Sequence, residues 1–217
     1  MLQTSVVPPG FGADLSNLYG RGGKRTLDTV LILMALPFIL PIMLLVLFAV
    51  MLDGHSPFYT QKRLGSGWRE FRLFKFRTMK PDADALLAAH LASDPAAREE
   101  WDRDQKLRRD PRITKVGRIL RKTSLDELPQ LLNVLTGDMS LVGPRPMLPE
   151  QRTMYPGVYY AAHRPGLTGL WQVSERNFTT FAARATYDEQ YSREFGLLQD
   201  LSTIMRTFKV VVRCTGC

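Results

Sequence analysis

The sequence predicts an α+β chain, mostly helical. Its expected parts are a re-entrant membrane helix hairpin, interfacial amphipathic helices, and a small β-hairpin in a domain on the cytoplasmic face. Three observations lead there. From Thr29 to Leu52 no residue carries a charge. Ser56–Gly65 and Phe71–Met79 alternate apolar with polar or basic residues around Gly65-Ser66-Gly67. Apolar residues at helical spacing flank Asp126-Glu127 and recur from Tyr187 onward.

Residues 1–20 read as a flexible lead, with Pro8, Pro9 and several glycines and no periodicity. Residues 21–55 form the membrane element. The uncharged run is 24 residues, about 36 Å as a straight helix and enough to span a bilayer. Pro37 and Pro41 argue against a plain span, because each frees a carbonyl four residues earlier. Arg21, Lys24 and Arg25 precede the run, and Lys62, Arg63, Arg69, Arg72, Lys75 and Arg77 follow it. A spanning segment concentrates basic residues on one side. A re-entrant hairpin bent at Pro37 and Pro41 is therefore expected, ahead of a true span. The run is long for a signal peptide, and no small-residue cleavage site follows it. A buried soluble helix ranks last.

Residues 56–217 form the expected main domain, which the resemblance given below makes catalytic. The strand pair reads as a β-hairpin with a strongly cationic face, which calls for an anion. Residues 82–110 are Ala-rich and charge-rich, a helical surface insertion. Val116, Ile119, Leu120, Leu128, Leu131, Leu132 and Leu135 make a helical stripe for the core or the membrane surface. Leu141-Val142-Gly143-Pro144-Arg145-Pro146 holds an arginine between prolines, suited to clamping a phosphate or equally to an ordinary turn. His163-Arg164-Pro165-Gly166-Leu167-Thr168-Gly169-Leu170-Trp171 repeats the device with an aromatic. His163 suits a capping role, and Trp171 suits the core better than base stacking. The helix from Tyr187 is basic and amphipathic, fit for a membrane interface or for core packing.

The totals are consistent with this. There are 29 Lys and Arg against 21 Asp and Glu, a net +8 that favours anionic partners. A chain of 217 residues buries enough core to need no disulfide. Cys214-Thr215-Gly216-Cys217 lacks partners for a zinc site and the context of a redox motif, and Thr and Gly suit a prenylation box poorly. It reads as an inert, reduced tail. No P-loop, Rossmann fingerprint, metal-spaced His cluster or nucleic-acid motif is present.

Thr123-Ser124-Leu125-Asp126-Glu127-Leu128-Pro129-Gln130 is the stretch with the most chemistry. Ser124 and Glu127 have capping-box spacing, placing both acids in a first helical turn, although Pro129 fits an N1 position better. Ionised carboxylates there can act as metal ligand, nucleophile or base. Alone, they fit an ordinary acidic cap better.

The motifs in order change that balance. Lys24-Arg25-x-x-Asp28 precedes the proline-broken helix. Lys75-Phe76-Arg77-Thr78-Met79, Ser124 to Gln130, Gly143 to Pro146 and Arg164 to Gly169 follow. The set resembles the bacterial sugar transferases, the monotopic phosphoglycosyl transferases, over about residues 21–213, and most resembles the short enzymes that prime exopolysaccharide synthesis. The resemblance implies transfer of sugar-1-phosphate, of a hexose such as galactose or glucose, from a UDP-sugar to undecaprenyl phosphate with release of UMP. It implies a phosphosugar–aspartyl intermediate on Asp126, with Glu127 as partner and Mg²⁺ as cofactor, held by Asp126. Arg145 would hold phosphate or lipid headgroup, and Arg164 and Gly166 the nucleotide. Lys75, Arg77 and Arg121 complete the cationic set, and Lys24, Arg25 and Asp28 anchor the interface. The implied place is the cytoplasmic face of the bacterial inner membrane, with no nucleic-acid partner and with homo-oligomerisation open. Two positions depart from the family pattern: Leu40 stands where Ser precedes the proline, and Glu175 where Gly precedes Arg176-Asn177. The competing readings are a membrane-anchored glycosyltransferase releasing UDP, a phosphatase, and a non-catalytic basic adaptor.

Overall fold

The computed structural model describes residues 18–54, 56–104, 107–174 and 180–212. The departure at Glu175 and the tail at Cys214 and Cys217 lie outside them, as does the lead before residue 18. A π-helical turn at Tyr19–Gly23 runs directly into helix α1, Lys24–Met51. Pro37 and Pro41 both lie inside α1, whose helical backbone continues through them. The segment Tyr19–Met51 is long and apolar enough to cross a membrane. One side of it, with Leu33, Met34, Phe38, Leu44, Leu45 and Phe48, is exposed.

The other side of α1 packs on the rest of the chain at both ends. Ile32 joins Leu73, Leu131, Val134 and Met139 in one cluster. Val46 and Val50 join Phe76 and Leu120 in another. Leu73 and Phe76 belong to the same strand, so one body receives both ends of the helix. Polar locks reinforce this. Buried Asp28 accepts Ser140 Oγ at 2.7 Å and the Leu141 amide at 3.2 Å. Lys24 pairs with buried Asp200, and Arg25 donates to the Val134 and Leu135 carbonyls. Just past the far end of α1, Asp53 accepts Thr114 Oγ1 at 2.8 Å. Lys24, Arg25 and Asp28, expected as interface anchors, thus fasten this end of the helix to the rest of the chain.

Strands β1 (Phe58–Leu64) and β2 (Glu70–Phe76) form the expected antiparallel hairpin. Its charges are not gathered on one face. Lys62 opposes Arg72, while Arg63 and Lys75 lie on the other face opposite Phe71 and Tyr59. Side chains alternate along a strand, so basic residues at odd and even positions must part company. Lys75 reaches the acids described below, and Arg63 reaches the Pro146 carbonyl.

Helices α2 (Ala83–Ser93) and α3 (Pro95–Asp104) make up the expected insertion. Helix α4 (Lys115–Thr123) starts where Thr114 Oγ1 accepts the Gly117 amide at 2.9 Å, an N-cap worth about 1 kcal/mol. Gly117 also lets the backbone of Thr78 approach, since a Cβ there would stand 2.1 Å from the Thr78 oxygen. Helix α5 (Gln130–Thr136) is laid on β2 by Asn133, which is wholly buried. Its amide accepts the Phe74 N–H at 3.0 Å and donates to the Arg72 carbonyl at 2.7 Å. It therefore imitates a neighbouring strand.

Strands β3 (Ser140–Val142) and β4 (Gly166–Thr168) pair in parallel. Helices α6 (Leu170–Val173), α7 (Arg184–Arg193) and α8 (Leu197–Val212) complete the order. On α8, Asp200 is buried and accepts Tyr191 Oη at 2.9 Å, while Leu198, Leu201, Met205 and Phe208 are exposed. Ile119 and Leu132, on the stripe expected to meet the core or the membrane surface, are also exposed, so the stripe divides between core and surface.

Candidate active site

The acidic step is not a capping box. Ser124 ends α4 in the left-handed region at φ 59°, and its side chain caps nothing. Leu125–Glu127 form one 3₁₀ turn, and α5 begins only at Gln130, after Pro129. Glu127 fails to cap because Lys75 and Arg145 claim its carboxylate. Lys75 Nζ donates to Glu127 Oε1 at 2.8 Å, and Arg145 Nη2 donates to the same oxygen at 3.1 Å.

Asp126 is different. It is buried, with Lys75 Nζ at 3.7 Å, and among the described residues it accepts no hydrogen bond. Burial pushes its carboxyl above the ordinary aspartate range, against the pull of Lys75, with Glu127 adding to the push. Burial also opposes ionisation of Glu127, but Lys75 and Arg145 outweigh it and hold Glu127 well below the usual glutamate range. One carboxylate is thus held fast and the other is left uncommitted. A nucleophile needs the second condition, because every hydrogen bond it accepts must be given up or weakened on attack.

The cations come from five parts of the chain. Lys75 belongs to β2, and Arg145 to the loop after β3. Arg121 of α4 donates through Nε to Thr78 Oγ1 at 2.9 Å, with Asp126 as its strongest attractive neighbour. Arg63 of β1 donates to Gln61 Oε1 at 2.7 Å and to the Pro146 carbonyl at 3.4 Å. Arg184 of α7 lies over Trp171, its Cζ 4.3 Å from the ring centre, and Arg145 lies 5.8 Å from the same ring.

Arg63 and Arg184 escape a sequence reading, since neither sits in a proline- or glycine-marked loop. The alternation of Lys75 with Arg63 across the hairpin was the only available signal. Conversely, exposed Arg164 is not brought to the acids. Arg77 reaches the Phe58 carbonyl at 3.5 Å, a backbone contact. Gly166 serves packing: a Cβ there would meet the Gly143 nitrogen at 2.1 Å. His163 is buried beside Ser192, 2.6 Å away, and burial pushes it down to about 4.

Magnesium commonly takes one or two carboxylates and completes its shell with substrate phosphates and water. The uncommitted Asp126 beside Glu127 fits that donor set. Among the described residues no cluster of three or more His, Cys, Asp or Glu side chains offers an all-protein cage.

A family profile described as "Bacterial sugar transferase" matches residues 19–214. The chain belongs to the bacterial sugar transferase family. This sugar transferase is 44% identical over 196 residues to "Exopolysaccharide production protein ExoY" of Sinorhizobium fredii, covering 89% of this chain and 87% of the relative. It is 46% identical over 195 residues to "Undecaprenyl-phosphate galactose phosphotransferase" of Salmonella typhimurium, covering 89% of this chain and 41% of the relative. With "UDP-galactose-lipid carrier transferase" of Erwinia amylovora it shares 44% identity over 195 residues, 89% of this chain and 41% of that protein. The sugar transferase chain therefore spans about two fifths of the length of the latter two relatives and most of the first.

Proposed function

We propose that this protein transfers sugar-1-phosphate from a UDP-sugar, carrying galactose or glucose, to undecaprenyl phosphate, and releases UMP. The observation that carries the reading is the unequal acid pair: Glu127 is bound by Lys75 and Arg145 while Asp126 accepts no hydrogen bond among the described residues. An Asp126 oxygen attacks the β-phosphorus, the bond from that phosphorus to the bridging oxygen breaks, and UMP departs with the electron pair. A phosphate oxygen of the lipid then attacks the phosphorus held on Asp126, and the Asp126 carboxylate leaves. The two displacements together conserve one phosphoanhydride and need no other reactant.

Mg²⁺, bound by Asp126 with Glu127 alongside, would neutralise the phosphates as their charge redistributes. Lys75 and Arg121 flank Asp126 and oppose the gathering of negative charge there. Glu127 orients Lys75 and Arg145, so that both cations face the acids before substrate enters.

The membrane reading is re-entrant and monotopic, on the cytoplasmic face. A spanning helix carries its ends about 30 Å apart across hydrocarbon. Here both ends of α1 are fastened to one body, by Asp28 to Ser140 and by Asp53 to Thr114. That favours both ends lying in one leaflet, beside the phosphate of a lipid acceptor. Exposed Leu198, Leu201, Met205 and Phe208 on α8 fit the same interface.

The test is a panel of UDP-sugars with undecaprenyl phosphate in detergent, with nucleotide products resolved. UMP release dependent on lipid and Mg²⁺ is expected. UDP release would favour an ordinary glycosyltransferase, and binding without turnover would favour a basic adaptor.

A further inference from the structure

Five cations (Lys75, Arg63, Arg121, Arg145, Arg184) gather around three carboxylates, Asp126, Glu127 and Asp188. They are not spread evenly. Arg121 has Asp126 as its strongest attractive neighbour, and Arg145 bears on both Asp126 and Glu127. Arg63 and Arg184 both adjoin Arg145: Arg63 donates to the carbonyl of the next residue, Pro146, and Arg184 shares the Trp171 ring with Arg145. Asp188 attracts Arg184, and Glu127 attracts Arg63 more weakly than Arg145 repels it. The Nε atoms of Arg63 and Arg184 are buried and have no hydrogen-bond partner among the described residues. Arg184 rests between Trp171 and Phe181, at 4.3 and 4.6 Å from the ring centres. Burial, then Arg145, pushes Arg184 down to about 9 and Arg63 down to about 10. Like charges kept together against that cost call for an anion.

The reaction geometry says which anion. In-line displacement sets the leaving group opposite the attacking oxygen. With Asp126 attacking the β-phosphorus, the departing phosphate lies away from Asp126, and Arg63 and Arg184, beside Arg145, are cations of the set that donate to neither Asp126 nor Glu127 among the described residues. We propose that Arg63 and Arg184, stiffened by Trp171 and Phe181, hold the phosphate of the departing nucleoside monophosphate, while Arg145 bridges it to the phosphate under attack. The assignment rests on the reaction given under Proposed function. A guanidinium also suits the phosphate of the lipid acceptor, so the experiment separates the two sources.

Wild type, Arg184→Gln, Arg184→Lys and Arg63→Gln are compared in detergent by UMP titration calorimetry, with uridine as the phosphate-free control. Apparent KM for UDP-sugar and for undecaprenyl phosphate is measured alongside. Losing a charge-assisted hydrogen bond should weaken UMP at least about tenfold. Uridine binding should stay unchanged, and the donor KM should rise while the acceptor KM does not. Arg184→Lys, which keeps the charge and loses the fork, should fall between. A rise in acceptor KM with UMP binding intact would overturn the proposal, and so would unchanged UMP binding in folded Arg184→Lys and Arg63→Gln proteins. If Arg184→Gln does not fold, Arg184→Lys and Arg63→Gln decide. Failure of the reaction itself shows separately, as a wild type that binds UMP but never releases it from a UDP-sugar.

Discussion

Lys75 Nζ stands 2.8 Å from Glu127 Oε1 and only 3.7 Å from the neighbouring Asp126 carboxylate. A lysine shared unequally between adjacent acids divides their labour. Glu127 is bound by Lys75 and Arg145, and Asp126 accepts no hydrogen bond among the described residues.

Asp126→Asn should therefore abolish turnover, by about 10³-fold or more, as removal of a covalent nucleophile does. Glu127→Gln should retain a measurable fraction, because it loosens Lys75 and Arg145 without removing the attacking atom. Peptide mass spectrometry after exposure to UDP-sugar without acceptor should find a phosphosugar on Asp126. An adduct on Glu127 instead would reverse the assignment.

Stability should carry two opposed pH limbs. His163 is pushed down to about 4 by burial, below its ordinary value of about 6.5. The unfolded chain then binds the extra proton first, so this contribution is present above 6.5 and is lost as pH falls toward 4. Asp188 is pushed up to about 7 by burial, against the donated Tyr155 hydroxyl and Arg184. The folded chain holds that proton, so its contribution is present below about 4 and is lost as pH rises toward 7. Urea midpoints of His163→Gln should fall from pH 4.5 to 6.5 relative to wild type, and those of Asp188→Asn should rise. Parallel profiles for all three proteins would contradict both shifts.

Gly166→Ala should destabilise the chain by about 3 kcal/mol, at the upper end for overpacking. Its Cβ would stand 2.1 Å from the Gly143 nitrogen and 2.2 Å from the Thr168 oxygen, and backbone cannot step aside as a side chain can. Thermal unfolding measures the loss, and Arg145 should lose its register with Glu127 at the same time.

Single cysteines at Leu18 and Ser56, with Cys214 and Cys217 replaced, test the topology. Both positions are exposed, and Ser56 avoids Gly54, whose φ of 80° resists a side chain. Both should react with an impermeant maleimide only in inverted vesicles. Labelling of one from each side would establish a true span.

Much of the site was legible in the linear order. Asp126 and Glu127 stood out as adjacent carboxylates in an apolar setting, and Lys75 and Arg145 as cations with local marks of strand and stiff loop. Arg164 and Gly166 were marked by the same loop signal, and the structure gives that loop a packing role beside the one expected. An Arg-Pro-Gly loop looks like a phosphate cradle, but Gly143 and Gly166 are needed where two backbones touch, and Arg164 faces outward. The capping box misled, because Lys75 and Arg145 outbid the helix end for the Glu127 carboxylate.

The sequence by itself determined the classes of element: an uncharged helix, an alternating hairpin, helices on both sides of an acidic step. Local spacing suffices for that, since periodicity and proline act over a few residues. Only the tertiary structure decided which carboxylate is bound and which is left open, and that Arg63 and Arg184, 121 positions apart, bear on the same arginine. Those relationships arise where β1, β2, the loop after β3 and α7 converge, and charges acting across that junction leave no trace in the spacing of any one segment.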